Sequence, residues 1–406
     1  MTSTKFIQNK TALITLIAAC LVVLISLGVR QTFGLFFSDF KNDLDISLTE
    51  SGLAVGLQML MWGLSGPIFG AIADKYGGHK AIMLAFIFYI LGIYFLYSGP
   101  NTGIFFQIDM GLLVGIGLGG TAISIPMSIV GKHFPLSNRT IAMSLVTAVG
   151  SFGYFISPMY TSYSLINNGW IHTLYVFTIF LVIGLVIAFF VRSPSLSESI
   201  EKPSDQNTMS ALKEAFKTKS YVLLTAGFFV CGFHITLVGT HVPTYVIDRG
   251  LETWTAAAIL SLIGLFNIFG SLFSGYLSTK MKKKVILAAI YALRGISICL
   301  FIFLPASNIN AFIFGASFGF LWLSTVPATS GIVAHMFGTK HLGMLYGIVF
   351  LSHQIGSFFG SFLGGLFHDI YGSYDYAWYL AIALSIFAAI IHVPIKEEPV
   401  LRLKTE

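Results

Sequence analysis

A few ionisable side chains stand inside long apolar stretches of this 406-residue chain, where ionisable groups are out of place. Arg30 sits in GVRQTFGLFF and Arg294 in YALRGISI. His234 and His241 share one helical face, two turns apart, in FHITLVGTH. His353 stands beside Gln354 in FLSHQIGSF, and Asp109 lies near the end of another apolar run. A central Arg in hydrocarbon costs about 2.5–3.5 kcal/mol on insertion scales, so such groups are functional candidates by default. Their signs matter most. Two obligate cations and three imidazoles stand against one peripheral carboxylate, so a cavity lined by them attracts an anion and repels a cation. The planar Arg fork suits bidentate carboxylate binding. A histidine near such a site can gain or lose a proton near neutral pH and so couple a proton to a substrate.

The elements that must carry these residues follow from composition. The chain is 55% hydrophobic and 10% charged, with mean hydropathy +0.83. So few charges cannot cover a water-facing surface, and the solvent is largely lipid. Long apolar runs argue helices over a β-barrel. The abundance of glycine suits close helix approach. Spans long enough to cross a bilayer fall at 11–37, 49–73, 80–99, 104–131, 138–165, 170–192, 221–247, 255–279, 284–304, 309–335, 340–368 and 374–395. The N-terminal apolar run is too long for a signal-peptide core and reads as a retained first helix. Cys20, Cys231 and Cys299 lie within spans and read as buried free thiols.

An even number of spans puts both termini on one side. Of the 23 Lys and Arg residues, Arg30 and Arg294 lie within spans, and Lys41 and Arg249 lie in loops opposite the termini. All the rest lie on the side of the termini, which is the positive-inside pattern. The termini are therefore expected in the cytoplasm, across an inner (plasma) membrane. The opposite loops are acidic, with Asp39, Asp43, Asp45, Glu50, Asp248, Glu252, Asp369 and Asp375. The net charge of +6 is a topology signal, and no nucleic-acid partner is expected. Residues 193–220 read as a hydrophilic linker between an N-terminal bundle, 1–192, and a C-terminal bundle, 221–406, with a short cytoplasmic tail. Within the linker, Met209–Lys219 reads as a short amphipathic surface helix or a plain solvated segment. The halves look duplicated. GLFFSDF matches PTYVIDRG, aligning Asp39 with Asp248, and AVGSFGYF matches QIGSFFGSF. Parallel halves place a substrate site between them at mid-membrane.

The loop Gly70–Lys80, GAIADKYGGHK, has its own logic. Gly70 allows close packing, Gly77 permits a positive φ, and Asp74 can accept backbone N–H groups or pair with a cation. A worn copy, GYLSTKMKKK, lies at Gly275–Lys284, with Thr279 in place of the acid. With Gly70, Asp74, Lys75, Gly77 and Lys80 in register, the first copy resembles the signature loop between helices 2 and 3 of major facilitator superfamily transporters. The resemblance implies an all-α integral membrane fold of 12 transmembrane helices in two pseudo-symmetric six-helix bundles. It implies alternating access, with Asp74 and Lys75 tying the bundles together on the cytoplasmic side. It also implies that spans 1, 4, 7 and 10 line the cavity and that spans 2, 5, 8 and 11 meet between halves.

On that footing the substrate-binding candidates are Arg30, Gln31, Trp62, Tyr154, His234, His241, Asn267, Trp322, His353 and Gln354. His234, His241 and His353 are the candidates for proton coupling. Arg294, on a peripheral span, is a structural group or a ligand contact. Few polar groups on an aromatic wall suit a small, partly apolar organic anion. The chain is most similar to the monocarboxylate transporter and oxalate/formate exchanger branch, through the span 1 cation, the loop and FHDIYGSYDYAWYL. One departure matters. That branch carries an Asp and an Arg in span 8, where this chain has Asn267 and Ser271. Carboxylate binding would have to rest on Arg30. The alternative is a proton-coupled drug or multidrug efflux antiporter. It is weakened by Gly111 where such proteins carry an Arg, and by the spacing of Gly150, Gly153 and Pro158. No phosphate-binding loop of an ATPase is present, so transport is expected to be secondary. No nucleophile or metal motif points to an enzyme, and no cofactor or metal is expected. The partners expected are a small organic anion, a proton and the lipid bilayer, for a monomeric carrier.

Overall fold

A computed structural model describes residues 10–100, 103–192, 208–338 and 341–400. Among the described residues the chain is helical throughout, without a strand. Eleven stretches are long and apolar enough to cross a membrane. One of them, within Leu136–Ala188, holds Gly169 at φ 80°, where an L side chain would be strained. That turn divides it into spans 5 and 6, so the count is twelve. The linker expectation falls partly on residues outside those described. Its second half forms the helix Thr208–Lys217.

Spans 4 and 10 are broken at matching places. Span 4 ends one helix at Thr121 and resumes at Ser124. Span 10 ends one at Leu321 and resumes at Thr325. In each case a proline lies just inside the second piece, Pro126 and Pro327. A proline ring clashes with the carbonyl four residues earlier and donates no hydrogen bond. That position is Ala122 or Leu323, inside the break. Span 1 also changes character. Its α-helix Lys10–Gln31 passes into a tighter turn, Phe33–Phe36, and a short helix, Phe37–Leu44.

The duplicated halves pack alike. Gly150 and Gly153 of span 5 press on Val23 and Leu24 of span 1, while Gly356 and Gly360 of span 11 press on Phe229 and Phe233 of span 7. Between the halves, span 2 packs on span 11 and span 5 on span 8, and the turn after span 1 meets span 7. At the end opposite the termini this seam is tight. A Cβ on Gly34 would strike the Thr240 carbonyl, one on Gly52 the Ser361 carbonyl, and one on Gly365 the Leu48 carbonyl. At the end nearer the termini the glycines are open. A Cβ on Gly275, Gly343 or Gly347 would meet nothing within 4 Å. The halves meet backbone to backbone at one end, and at the other these three glycines have no close neighbour.

Candidate functional site

Arg30 is the last-turn cation of helix Lys10–Gln31, where the helix dipole favours positive charge. The chain then leaves the α-helix at Thr32, whose hydroxyl returns to the Val29 carbonyl at 2.8 Å. Arg30 is 7% exposed, yet its partners are weak. Nη1 donates to Gln31 Oε1 at 3.4 Å, and Nη2 donates to the Met59 thioether at 3.2 Å. The Tyr154 hydroxyl also interacts with it. Thioether sulfur is a poor acceptor for a group with five donors. No carboxylate lies within ion-pair distance of Arg30 among the described residues. Gln31 Nε2 is likewise buried without a partner.

Met59 connects this cation to the other half. Its carbonyl accepts from Gln354 Nε2 of span 11 at 2.9 Å. Gln354 Oε1 lies 3.1 Å from His353 Nδ1. The His353 ring stacks on Phe350, centroids 5.7 Å apart and planes 8° apart, and Trp62 stands edge-on to Phe350 at 6.2 Å. Tyr154 lies where a Cβ on Gly264 of span 8 would strike it, so it too sits between the halves. The structure thus brings together Arg30, Gln31, Tyr154, Trp62, His353 and Gln354. It is a cation and an imidazole set among aromatic rings at the junction of spans 1, 2, 5 and 11.

Asn267 stands at the junction in another way. Its Nδ2 donates to Ser151 Oγ of span 5 at 3.0 Å, and its Oδ1 accepts from Leu323 N at 3.0 Å inside the span 10 break. It ties the halves and satisfies broken backbone at once.

The other candidates lie elsewhere. His234 Nε2 pairs with the Ala381 carbonyl of span 12 at 2.8 Å, inside the C-terminal bundle. His241 is held by the Ser361 carbonyl at 2.6 Å and the Tyr374 hydroxyl at 3.2 Å. Trp322 is 1% exposed, with its ring against Phe318. Arg294 is fully buried. It donates to the Leu321 carbonyl at 2.8 Å and to the Trp322 carbonyl, and lies over Tyr291 and Phe318. These are the orphan carbonyls of the helix that ends at Leu321. Arg294 therefore caps the span 10 break.

In the loop, Gly77 has φ 97° and ends the helix Leu48–Tyr76. Asp74 pairs with Lys132 of its own half at 2.7 Å. Lys75 lies over the Tyr76 ring. A Cβ on Gly70 would meet only Ile125, at 3.8 Å, so tight packing does not require glycine there in this conformation. In the second copy, Lys284 N donates to Glu397 and its ammonium to the Val393 carbonyl, which fastens the C-terminal segment.

Sequence reasoning missed Met59, Tyr89 and Ser151. Tyr89 is fully buried, feels the charge of Arg30 and donates to the Ser26 carbonyl at 3.1 Å. An apolar or hydroxyl residue in an apolar span gives no signal of its own.

The sequence profile of the Major Facilitator Superfamily matches residues 19–325 and 295–405. The chain belongs to that superfamily. It is a transporter and not an enzyme. It is 23% identical over 362 residues to the oxalate:formate antiporter of Oxalobacter formigenes, covering 88% of this chain and 85% of that one. It is 22% identical over 361 residues to monocarboxylate transporter 13 of Bos taurus, covering 87% and 82%. Among solved structures it is similar to a bacterial homologue of the human lysosomal transporter Spinster, determined inward-facing and unoccupied. The TM-score is 0.76 and the identity 15%, over 95% of this chain and 97% of that one.

Proposed function

We propose that this superfamily member is a secondary carrier that moves a small organic anion, of the monocarboxylate class, by alternating access with a proton. The observation that carries the reading is Arg30: a buried guanidinium between the halves with no carboxylate partner among the described residues. An isolated buried charge is costly. An entering carboxylate would supply the missing acceptor. His353 is the proton-coupling candidate that lies at that site, since His234 and His241 are engaged elsewhere. The names of the relatives, a monocarboxylate transporter and an oxalate:formate antiporter, support the anion class.

In this reading the bundles are 1–192 and 221–406, joined by the linker 193–220, in a monomer in the plasma membrane. The basic loops support cytoplasmic termini. The tight seam then lies outside and the end with the open glycines inside, an inward-facing state. A thermal-shift screen of the purified protein tests the reading, because a ligand stabilises the form it binds. Stabilisation by small carboxylates, lost in Arg30→Ala, is expected. Stabilisation by cationic drugs alone would overturn it in favour of a drug antiporter.

A further inference from the structure

The outer seam is closed by a carboxylate of one half on a helix of the other. Asp369 Oδ2, near the end of helix Leu342–Tyr371, accepts from Thr49 N at 2.7 Å and from the Thr49 hydroxyl at 2.5 Å. Thr49 is the second residue of helix Leu48–Tyr76. First-turn N–H groups lack partners within their own helix, and the dipole there favours a negative charge. Charge-assisted hydrogen bonds of this kind are about twice as strong as neutral ones. Directly beneath, Gly365 meets Leu48 and Gly52 meets Ser361.

The groups around Asp369 are few. His368 Nδ1 lies 3.9 Å from its Oδ1, and His368 Nε2 lies 3.1 Å from Asp248 Oδ2 on span 7. The Tyr374 ring, in the turn to span 12, is 4.6 Å from His368, and His241 of span 7 feels both His368 and Asp369. On the facing helix, Glu50 is used in a capping box with Ser47. No Lys or Arg pairs with Asp369 or Asp248 among the described residues. Asp369 is therefore held across the seam by Thr49 alone among the described residues.

We propose that Asp369 is the latch of the outer gate, closed by the ionised carboxylate on Thr49 and released when that carboxylate is protonated. External acid then favours outward opening, before any substrate binds. The proposal rests on the orientation and alternating access given above, and not on the identity of the anion.

The test is thiol accessibility in the full chain, reconstituted without substrate, with Cys20, Cys231 and Cys299 replaced by Ser. Ser361→Cys reports the buried outer seam, and Gly347→Cys reports the open inner end. Impermeant maleimides are added from the matching side, and rates are compared with the parent at each pH. Asp369→Asn should raise labelling at position 361 about tenfold, the scale of one lost charge-assisted bond. It should lower labelling at position 347 and remove the acid response. Asp369→Glu should keep that response, and Thr49→Val should give a smaller rise. Unchanged labelling at 361 in Asp369→Asn overturns the latch. An acid response that survives in Asp369→Asn also overturns it, and moves the titration to His368. A rise at 361 without a fall at 347 supports the latch but refutes reciprocal opening.

Discussion

Arg30 and Gln354 meet on one residue from opposite halves: the guanidinium donates to the sulfur of Met59 and the amide donates to its carbonyl. On the proposed reading, a substrate that draws Arg30 toward itself acts on the residue that span 11 holds. The proposed binding group and the inter-bundle contact thus share one residue, through its side chain and its backbone, which on that reading links occupancy to rocking.

Arg30→Ala should weaken anion binding about 10- to 100-fold, the scale of a lost hydrogen bond to a charged group. Arg30→Lys keeps the charge but loses the fork, and should fall between. Uptake into proteoliposomes, read as KM, checks both. An unchanged KM in the alanine variant removes Arg30 from the site.

His353→Gln should flatten the pH profile of uptake, which in a proton symporter rises as the outside is acidified. His234→Gln and His241→Gln should keep the profile and instead lower the melting temperature, because each loses a buried bond to a carbonyl. A flat profile in either of the latter would relocate the proton-linked group. The substrate-free acid response at position 361 should survive in His353→Gln.

Arg294→Met should destabilise the fold. The Leu321 and Trp322 carbonyls lose their cap, at about 1–3 kcal/mol for each group left unpaired. Melting in detergent should drop by several degrees while the KM of the folded fraction holds. A raised KM at unchanged stability would make Arg294 a substrate ligand after all.

Asp74→Asn removes an exposed ion pair with Lys132, worth under about 1 kcal/mol, so melting should barely change. Labelling at Gly347→Cys should rise if Asp74 serves the cytoplasmic closure in the opposite conformation. Constant labelling would leave the loop an element of topology only.

The twelve spans were legible because a bilayer demands long apolar runs, and loop charge ordered them. Arg30 was legible for the same reason: a cation in hydrocarbon announces itself. The histidines were not sorted by sequence. His241 and His353 look alike there, and only packing shows one locked to a carbonyl and the other bonded to the Gln354 amide that reaches Met59 of the other half. In sequence Arg294 stays open as a structural group or a ligand contact, because its bonds to the Leu321 and Trp322 carbonyls depend on the break in span 10, a tertiary fact. Asp369 was visible only as an outer acid. Its partners are the backbone N–H and hydroxyl of a residue 320 positions away, and an N–H is a group that every residue but proline carries.

The seam of glycines at Gly34, Gly52 and Gly365 opposes backbone and not side chains, so no neighbour can swing aside. One added methyl group there would be a wedge. It would cost nothing in a conformation where the seam is apart and would be prohibitive in this one. The protein thus carries, at three ordinary positions, the means to be held in its unseen state by alanine alone, without inhibitor or antibody.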